Sequence, residues 1–360
     1  MYIYDKYDQK MIDERVAQYR DQTSRFLEGK LPEAEFLQLR LRNGLYIQRL
    51  APLLRVNIPY GMLSSTQLRK LAHISRYYDK GYAHFTTRQN IQYNWPKLEE
   101  VPDILEELAS VEMHAIQSSG SCIRNVTSDQ YAGVAVDEIE DSRPWSELIR
   151  QWSTFHPEFN WLPRKFKIAV TGAEEDRTAV QVHDIGVRLV EANGEVGFQI
   201  LAGGGLGRTP VIAPVIKNYL EKPHLLTYLE AILRVYNRYG RRDNKFKSRI
   251  KILVRAMGAE VFAQKVEDEW QSVKNGPGTL TEAEIIRAHS FFTKPSYEEL
   301  EENCIQLDES LNSNFAFKNW VSRNVKPHQQ PGYAIANLAL KRTGAAPGNV
   351  SDRQLEIIAE

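Results

Sequence analysis

Lys165 and Lys167 stand two residues apart in WLPRKFKIAVTG. Its period of two predicts an extended segment, with Phe166, Ile168 and Val170 on one face and both ammoniums on the other. Two like charges so placed repel by roughly 2–4 kcal/mol at separations of about 4–8 Å and an effective dielectric of about 20. An anion held between them relieves that repulsion; the alternative is a solvated edge strand carrying two lysines. Recurrence argues for the anion. In LLRVNIPYGML, Leu54, Val56 and Ile58 alternate with Arg55 and Asn57, so Arg55 projects from the polar side. Arg88 does the same in YAHFTTRQNIQYNW, and Arg124 comes from the Ser/Gly-rich turn SSGSCIRNVTSD. Separate segments that each offer an isolated cation describe a converging pocket. In it arginine supplies fixed forks for oxyanions or carboxylates, and lysine a point charge and a proton.

Three further stretches bear on what the pocket holds. Read as one strand, Tyr82–Trp95 puts His84, Thr86, Arg88, Asn90, Gln92 and Asn94 on a single face, a hydrogen-bonding surface with little freedom to move; an ordinary wet sheet face is the alternative. AGGGLG (Ala202–Gly207) follows a predicted strand but fits neither G-x-G-x-x-G nor the Walker pattern. Gly203, Gly204 and Gly205 would let backbone lie close to a flat ligand, or simply form a flexible turn. The run RRDNKFKSRIKILVRAMG, which holds Lys251, reads as a solvated helix face or a nucleic-acid patch. Cys122 reads as a small core residue, and the histidines show no metal-ligand spacing.

The elements that must position these groups come from a chain of 360 residues, long enough for two domains. Hydrophobic residues make up 42% and charged ones 26%; 46 basic and 46 acidic residues cancel, so anion binding has to be local. The charged N-terminus lacks the apolar core of a signal peptide, no run suits a transmembrane helix, and two cysteines exclude a disulfide framework; a cytoplasmic location fits. Residues 1–46 have helical spacing and form an arm. Over 47–114 a strand, a helix capped by Ser64 or Ser65, the Tyr82–Trp95 strand and a helix around Val101–Val111 make a small α+β layer. Residues 115–276 form a larger unit, with strands in VQVHDIGVRLV and VGFQILAGGGLG joined by a turn at 192–195, then helices over about 211–239 and 259–271. Gly276, Pro277 and Gly278 mark a linker into 277–360. There GNVSDRQLEIIA (348–359) repeats GMLSSTQLRKLA (61–72), matching Gly, Ser, Gln, Leu and Ala without a gap, and LALKRTGAAPG would stand where LLRVNIPYG stands in the first copy. The second copy stops one helix in, which reads as a truncated polypeptide.

TTRQNIQ, the Arg-Asn-Val after a Gly/Ser turn, LPRKFK and the glycine triplet, in this order, resemble the sirohaem-dependent sulfite and nitrite reductases over about residues 45–360. The resemblance implies an α+β fold: a ferredoxin-like half-domain, a mixed α/β sirohaem-domain module and the start of a second half-domain. It implies six-electron reduction of sulfite to sulfide, or nitrite to ammonia, at sirohaem linked to a [4Fe-4S] cluster, with ferredoxin or a flavoprotein as donor and no membrane or nucleic-acid partner. By resemblance Arg55, Arg124, Lys165 and Lys167 are the catalytic cations. Thr86, Thr87, Arg88 and Gln92 hold sirohaem carboxylates, with Lys251, while Gly203–Gly205 lie against the macrocycle. The sequence departs from the pattern in two ways. The family's cluster cysteines, C-x5-C and C-x3-C, are absent, so the ligands are expected outside this chain and the chain alone to be inactive. His84 replaces an arginine, and Asn94 a histidine of some members. Lys167, where nitrite-specialised members often have Asn, leans the reading toward sulfite. Two other readings compete: a non-catalytic tetrapyrrole- or oxyanion-binding module, and an RNA binder through Arg241–Arg255.

Overall fold

A computed structural model describes residues 1–300 and 304–360. Two helices lead the chain. In α1 (Lys6–Leu27) a reciprocal capping box between Asp5 and Asp8 satisfies the first orphan amides; α2 (Glu33–Arg42) starts after Pro32, which fixes an extended entry. Their apolar sides, Tyr19, Phe26 and Phe36, stack together and join the core of the first sheet. The arm is thus part of the first layer.

That layer runs β1 (Leu45–Ile47), β2 (Pro52–Val56), α3 (Ser65–Tyr78), β3 (Tyr82–Phe85), β4 (Ile91–Tyr93) and α4 (Val101–Ala109). Leu54, Val56, Ala83, Ile91 and Tyr93 point to one side and bury against Leu71 and Ile74 of α3 and Ile104, Leu105 and Leu108 of α4. Tyr82–Trp95 is not one strand but a hairpin. The Thr86 hydroxyl accepts the backbone amides of Arg88 and Asn90 (3.3 and 3.2 Å), and Gln89 enters the left-handed region at φ +54°. This local bonding competes with continued pairing, and Thr86–Asn90 leave the sheet as a turn. Six side chains therefore do not share a face; a shorter polar row does.

A long irregular stretch then leads to α5 (Arg143–Ser153), an element the sequence reading did not foresee. The larger unit is a sheet of β5 (Ile168–Thr171), β6 (Ile185–Ala192), β7 (Glu195–Ala202) and β8 (Val215–Leu220), in that order, with β5 parallel to β6 and the rest antiparallel. Asn193 and Gly194, both at positive φ, make the turn expected at 192–195. Residues 122–127 lie beside 166–170, bridging Ile123 to Phe166 and Thr127 to Ala169 in parallel. The expected helix over 211–239 is corrected: Val215–Leu220 alternates and pairs with β7, Lys222–His224 forms a single 3-10 turn that holds Pro223, and the α-helix is confined to α6 (Leu225–Tyr239). Next come α7 (Ile250–Met257), α8 (Ala259–Val273) and α9 (Glu282–Ser290). Trp145, Phe166, Phe198, Tyr228 and Tyr236 fill the core, and Ala288 of α9 joins it beyond the Gly276–Gly278 turn.

The remaining elements are α10 (Ile305–Ser313), α11 (Phe315–Asn324), β9 (Val325–Pro327), β10 (Ala334–Ala336), β11 (Asn349–Ser351) and α12 (Asp352–Ala359). The internal repeat is physical. Ser64 and Gln67 cap α3 reciprocally, Ser351 and Gln354 cap α12 the same way, and the two helices pack together, with Arg76 bound to Asp352 and Glu356. Strand β11 pairs antiparallel with β3 and completes the order β1-β2-β4-β3-β11. Leu338–Leu340 form no strand; turns at Gly344 and Gly348, both at positive φ, carry the chain to β11 instead. No helix among the described residues is long and apolar enough to cross a membrane.

Candidate functional site

Register sets the polar row of the first sheet. Arg55 lies opposite Gln92, Gln92 opposite His84, and His84 opposite Asn349. Arg55 donates Nε and Nη2 to Gln92 Oε1 (3.3 and 3.0 Å), Gln92 donates Nε2 to Asn94 Oδ1, and His84 Nδ1 lies 2.9 Å from Asn349 Oδ1. The sheet's apolar back fixes this row, because a one-residue slip would turn Arg55 into the core.

Arg124 arrives from the other unit on the 122–127 segment. Its guanidinium folds back onto its own turn, donating to Ser118 O at 2.7 Å and to Gly120 O at 3.1 and 2.7 Å. Lys165 and Lys167 flank Phe166, whose ring is buried, so the alternation inferred for them holds although β5 begins only at Ile168. Neither ammonium has a hydrogen-bond or ion-pair partner among the described residues. Burial, then the charges of Arg124, Arg249, Arg164 and Arg55, bring Lys165 down to about 8; burial, then Arg88, Lys165 and Arg249, bring Lys167 to about 8 against the pull of Asp184. Arg124 is lowered to about 10 by burial and by Arg55, Arg164 and Arg249, with Cys122 opposing. The four cations inferred from sequence stand in one electrostatic neighbourhood.

Three of them open on one cleft of about 540 Å³, lined by Arg55, Arg124 and Lys165 together with Arg15, Arg42 and Arg164. Lys167 does not line it. The carboxylate of this neighbourhood is Asp184, fully buried. It accepts Arg249 Nε and Nη2 at 2.9 and 2.7 Å through one oxygen and the Lys167 backbone amide at 2.9 Å through the other. Sequence reasoning missed Asp184, Arg249 and Arg164. Arg164 stands inside LPRKFK itself, and Arg249 inside the basic run.

The residues assigned to the macrocycle are placed as follows. Arg88 donates to Asn125 O (2.5 Å), Ile168 O (3.2 Å) and Thr127 Oγ1 (3.2 Å), clipping the hairpin turn onto the larger unit, and burial lowers it to about 9. Thr86 shapes that turn, Thr87 is exposed on it, and Gln92 is engaged by Arg55. Lys251 reaches the glycine loop, donating Nζ to Leu206 O at 3.2 Å and Thr209 O at 2.6 Å. The glycines are needed by the fold. A Cβ on Gly204 would lie 2.5 Å from Gln181 O and 2.6 Å from His183 O, both backbone. Gly204→Ala is therefore expected to lower stability by about 1–3 kcal/mol, read as a lower urea midpoint at unchanged slope. An unshifted midpoint would mean the loop yields freely.

A carboxylated macrocycle fits this neighbourhood, since Arg164, Lys165 and Lys167 have no carboxylate partner among the described residues. A [4Fe-4S] cluster does not. Cys122 is partly buried with its thiol pushed up by burial, Cys304 is exposed, and no group of three or more His, Cys, Asp or Glu converges among the described residues.

Comparisons with known proteins agree with the two layers. The nitrite/sulfite reductase ferredoxin-like half domain matches residues 53–111, and the nitrite and sulphite reductase 4Fe-4S domain matches residues 119–274. The ferredoxin–nitrite reductase of Leptolyngbya laminosa is 34% identical over 223 residues, 60% of this chain and 44% of that protein. The chloroplastic ferredoxin–nitrite reductase of Arabidopsis thaliana is 33% identical, covering 60% and 38%. Sulfite reductase [ferredoxin] 1 of Mycolicibacterium paratuberculosis is 31% identical, covering 61% and 39%. The chain thus spans less than half the length of these curated relatives. The structure of the Mycobacterium tuberculosis NirA protein shares the fold, with a TM-score of 0.70 and 23% identity over 92% of this chain and 57% of that one.

Proposed function

Because the chain belongs to the nitrite and sulphite reductase family, we propose that it supplies a ferredoxin-like half-domain and a sirohaem-binding module to an assimilatory reductase of sulfite or nitrite. The observation that carries this is the pair Lys165 and Lys167. Burial and neighbouring positive charge bring both ammoniums down to about 8; they lack a protein acceptor among the described residues and sit among Arg55, Arg88, Arg124 and Arg249. Such a group holds an oxyanion by charge in a place where water screens poorly. It is also a proton donor matched to neutral pH: with a pKa of about 8, about nine-tenths of the group carries its proton at pH 7.

Arg55 and Arg124 keep fixed orientations through Gln92, Ser118 and Gly120, and so contribute positioned charge without a proton to give. Sirohaem, when bound, would pass electrons to the oxyanion; Arg164, Arg88, Thr86, Thr87, Gln92 and Lys251 are the groups proposed to meet its carboxylates, and Gly203–Gly205 its face. The cluster is outside what the described residues can hold. The resemblance at Lys167, where nitrite-specialised members often carry Asn, leans this proposal toward sulfite. A ferredoxin or flavoprotein donor and a cytoplasmic setting complete it.

The test is sirohaem uptake. The purified chain is expected to retain sirohaem through gel filtration, and Arg88→Ala to retain it about tenfold more weakly, about 1.4 kcal/mol, because the turn carrying Thr86 and Thr87 loses its cation and its clip onto Asn125 O, Ile168 O and Thr127 Oγ1. Absorbance per protein equal to wild type would remove Arg88 from the binding set. No uptake by the wild-type chain would argue against the module as drawn.

A further inference from the structure

The cleft in front of Lys165 is larger and more basic than the inner cations require. Its lining includes Arg15 from α1 and Arg42, the last residue of α2, besides Arg55, Arg124, Arg164 and Lys165, and it includes no aspartate or glutamate. Arg15 and Arg42 both lie outside the segments matched by the two family domains. Their surroundings are unusual for surface arginines. Arg42 has no hydrogen bond or carboxylate among the described residues; its guanidinium rests over the Trp161 ring at 4.5 Å. A stacked guanidinium keeps its in-plane N–H donors free for an anion approaching edge-on. Arg15 donates Nε to Asn43 Oδ1 at 3.0 Å and Nη1 to Gln18 Oε1 at 2.5 Å, while its Nη2 is buried without a partner. Burial, then the charge of Arg42, lowers Arg15, so the two guanidiniums feel one another across the cleft. Arg42 and Arg124 act together on the Cys122 thiol, which ties the outer pair to the inner group.

Two arginines with no carboxylate partner among the described residues, held close by folded helices, repel, and the fold keeps them there without an acidic group to offset it. We propose that Arg15 and Arg42 form an outer oxyanion subsite, an antechamber that captures the small inorganic anion and hands it inward to Arg55, Arg124 and Lys165. The proposal rests on the oxyanion reading above and adds to it a second place of residence for the anion, built by the N-terminal arm. A cleft of about 540 Å³ has room for more than one such ion with its water. The subsite raises the local anion concentration in front of the lysines and makes capture sensitive to ionic strength.

The test uses the full chain, with sulfite as titrant in calorimetry at low ionic strength and sirohaem uptake recorded on the same samples. Arg42→Gln is expected to weaken sulfite binding about tenfold, which is about 1.4 kcal/mol, and to flatten its dependence on added salt. Arg42→Lys, which keeps the charge, is expected to recover most of the loss; Arg15→Gln should act in the same direction as Arg42→Gln. Sirohaem uptake should stay at the wild-type level in all three. Sulfite affinity unchanged in Arg42→Gln and Arg15→Gln overturns the antechamber. An equal loss in Arg42→Gln and Arg42→Lys also overturns it, since the stack rather than the charge would then matter. If Lys165→Ala loses sulfite while Arg42→Gln keeps it, the inner pocket stands and only the outer subsite falls. If the wild-type chain takes up sirohaem but binds no sulfite, the oxyanion reading itself falls.

Discussion

Lys165→Ala is expected to lower turnover by about two to four orders of magnitude in enzyme carrying its full cofactor set, with sirohaem absorbance per protein close to wild type. Burial and the charges of Arg124, Arg249, Arg164 and Arg55 bring the Lys165 ammonium to about 8, so it is charged at pH 7 and readily gives its proton. The donor is the protonated form, hence wild-type activity should fall as pH rises past about 8. Stability should move the other way. A lysine whose folded pKa lies below its unfolded value of about 10.4 binds fewer protons when folded, so its charged form destabilises the fold at neutral pH. That destabilisation fades as pH climbs from about 8 toward the unfolded value. Lys165→Ala is thus expected to leave the cofactor-free chain at least as resistant to urea at pH 7 as wild type. Turnover near wild type, or a collapse of stability with the loss of activity, would each remove Lys165 from the proposed role.

The second large effect is expected at Asp184. The carboxylate is fully buried and binds Arg249, itself largely covered, and the Lys167 amide. Asp184→Ala leaves a buried guanidinium unpaired and adds net positive charge beside Arg88, Lys165 and Lys167. Breaking one side of such a pair costs about 3–5 kcal/mol, a large part of the stability of a typical domain. The variant should unfold at a much lower urea concentration, or fail to accumulate. Asp184→Asn keeps the shape and one acceptor, so it should fall between the two. A midpoint for Asp184→Ala within error of wild type would show that water already reaches Arg249 and that the pair is not structural.

The cations were legible in the sequence because alternation is a local property. Leu54, Val56 and Ile58 fix the side from which Arg55 projects, and Phe166 and Ile168 do the same for the lysines. What was not legible depends on contacts between distant segments or on turn chemistry. The Tyr82–Trp95 stretch looks continuous by alternation, yet the Thr86 hydroxyl and the left-handed Gln89 make it a hairpin. The Val215–Leu220 strand was hidden in a run long enough for a helix, and only its pairing with β7 separates it from α6. Arg15 and Arg42 belong to a highly charged arm whose residues each resemble a solvated helix face. Nothing in their spacing points to a cleft built against Phe155 and Trp161, more than a hundred residues away.

Strand β11 sits beside β3 across some 265 residues of chain, the span from His84 to Asn349. During vectorial synthesis at roughly 5–20 residues per second, the edge of β3 therefore waits on the order of ten to fifty seconds for its neighbour. Through that interval the nascent first layer presents open backbone donors and acceptors. Slow non-local closure of this kind leaves the first layer with an unfinished edge until the repeat's second copy has left the ribosome.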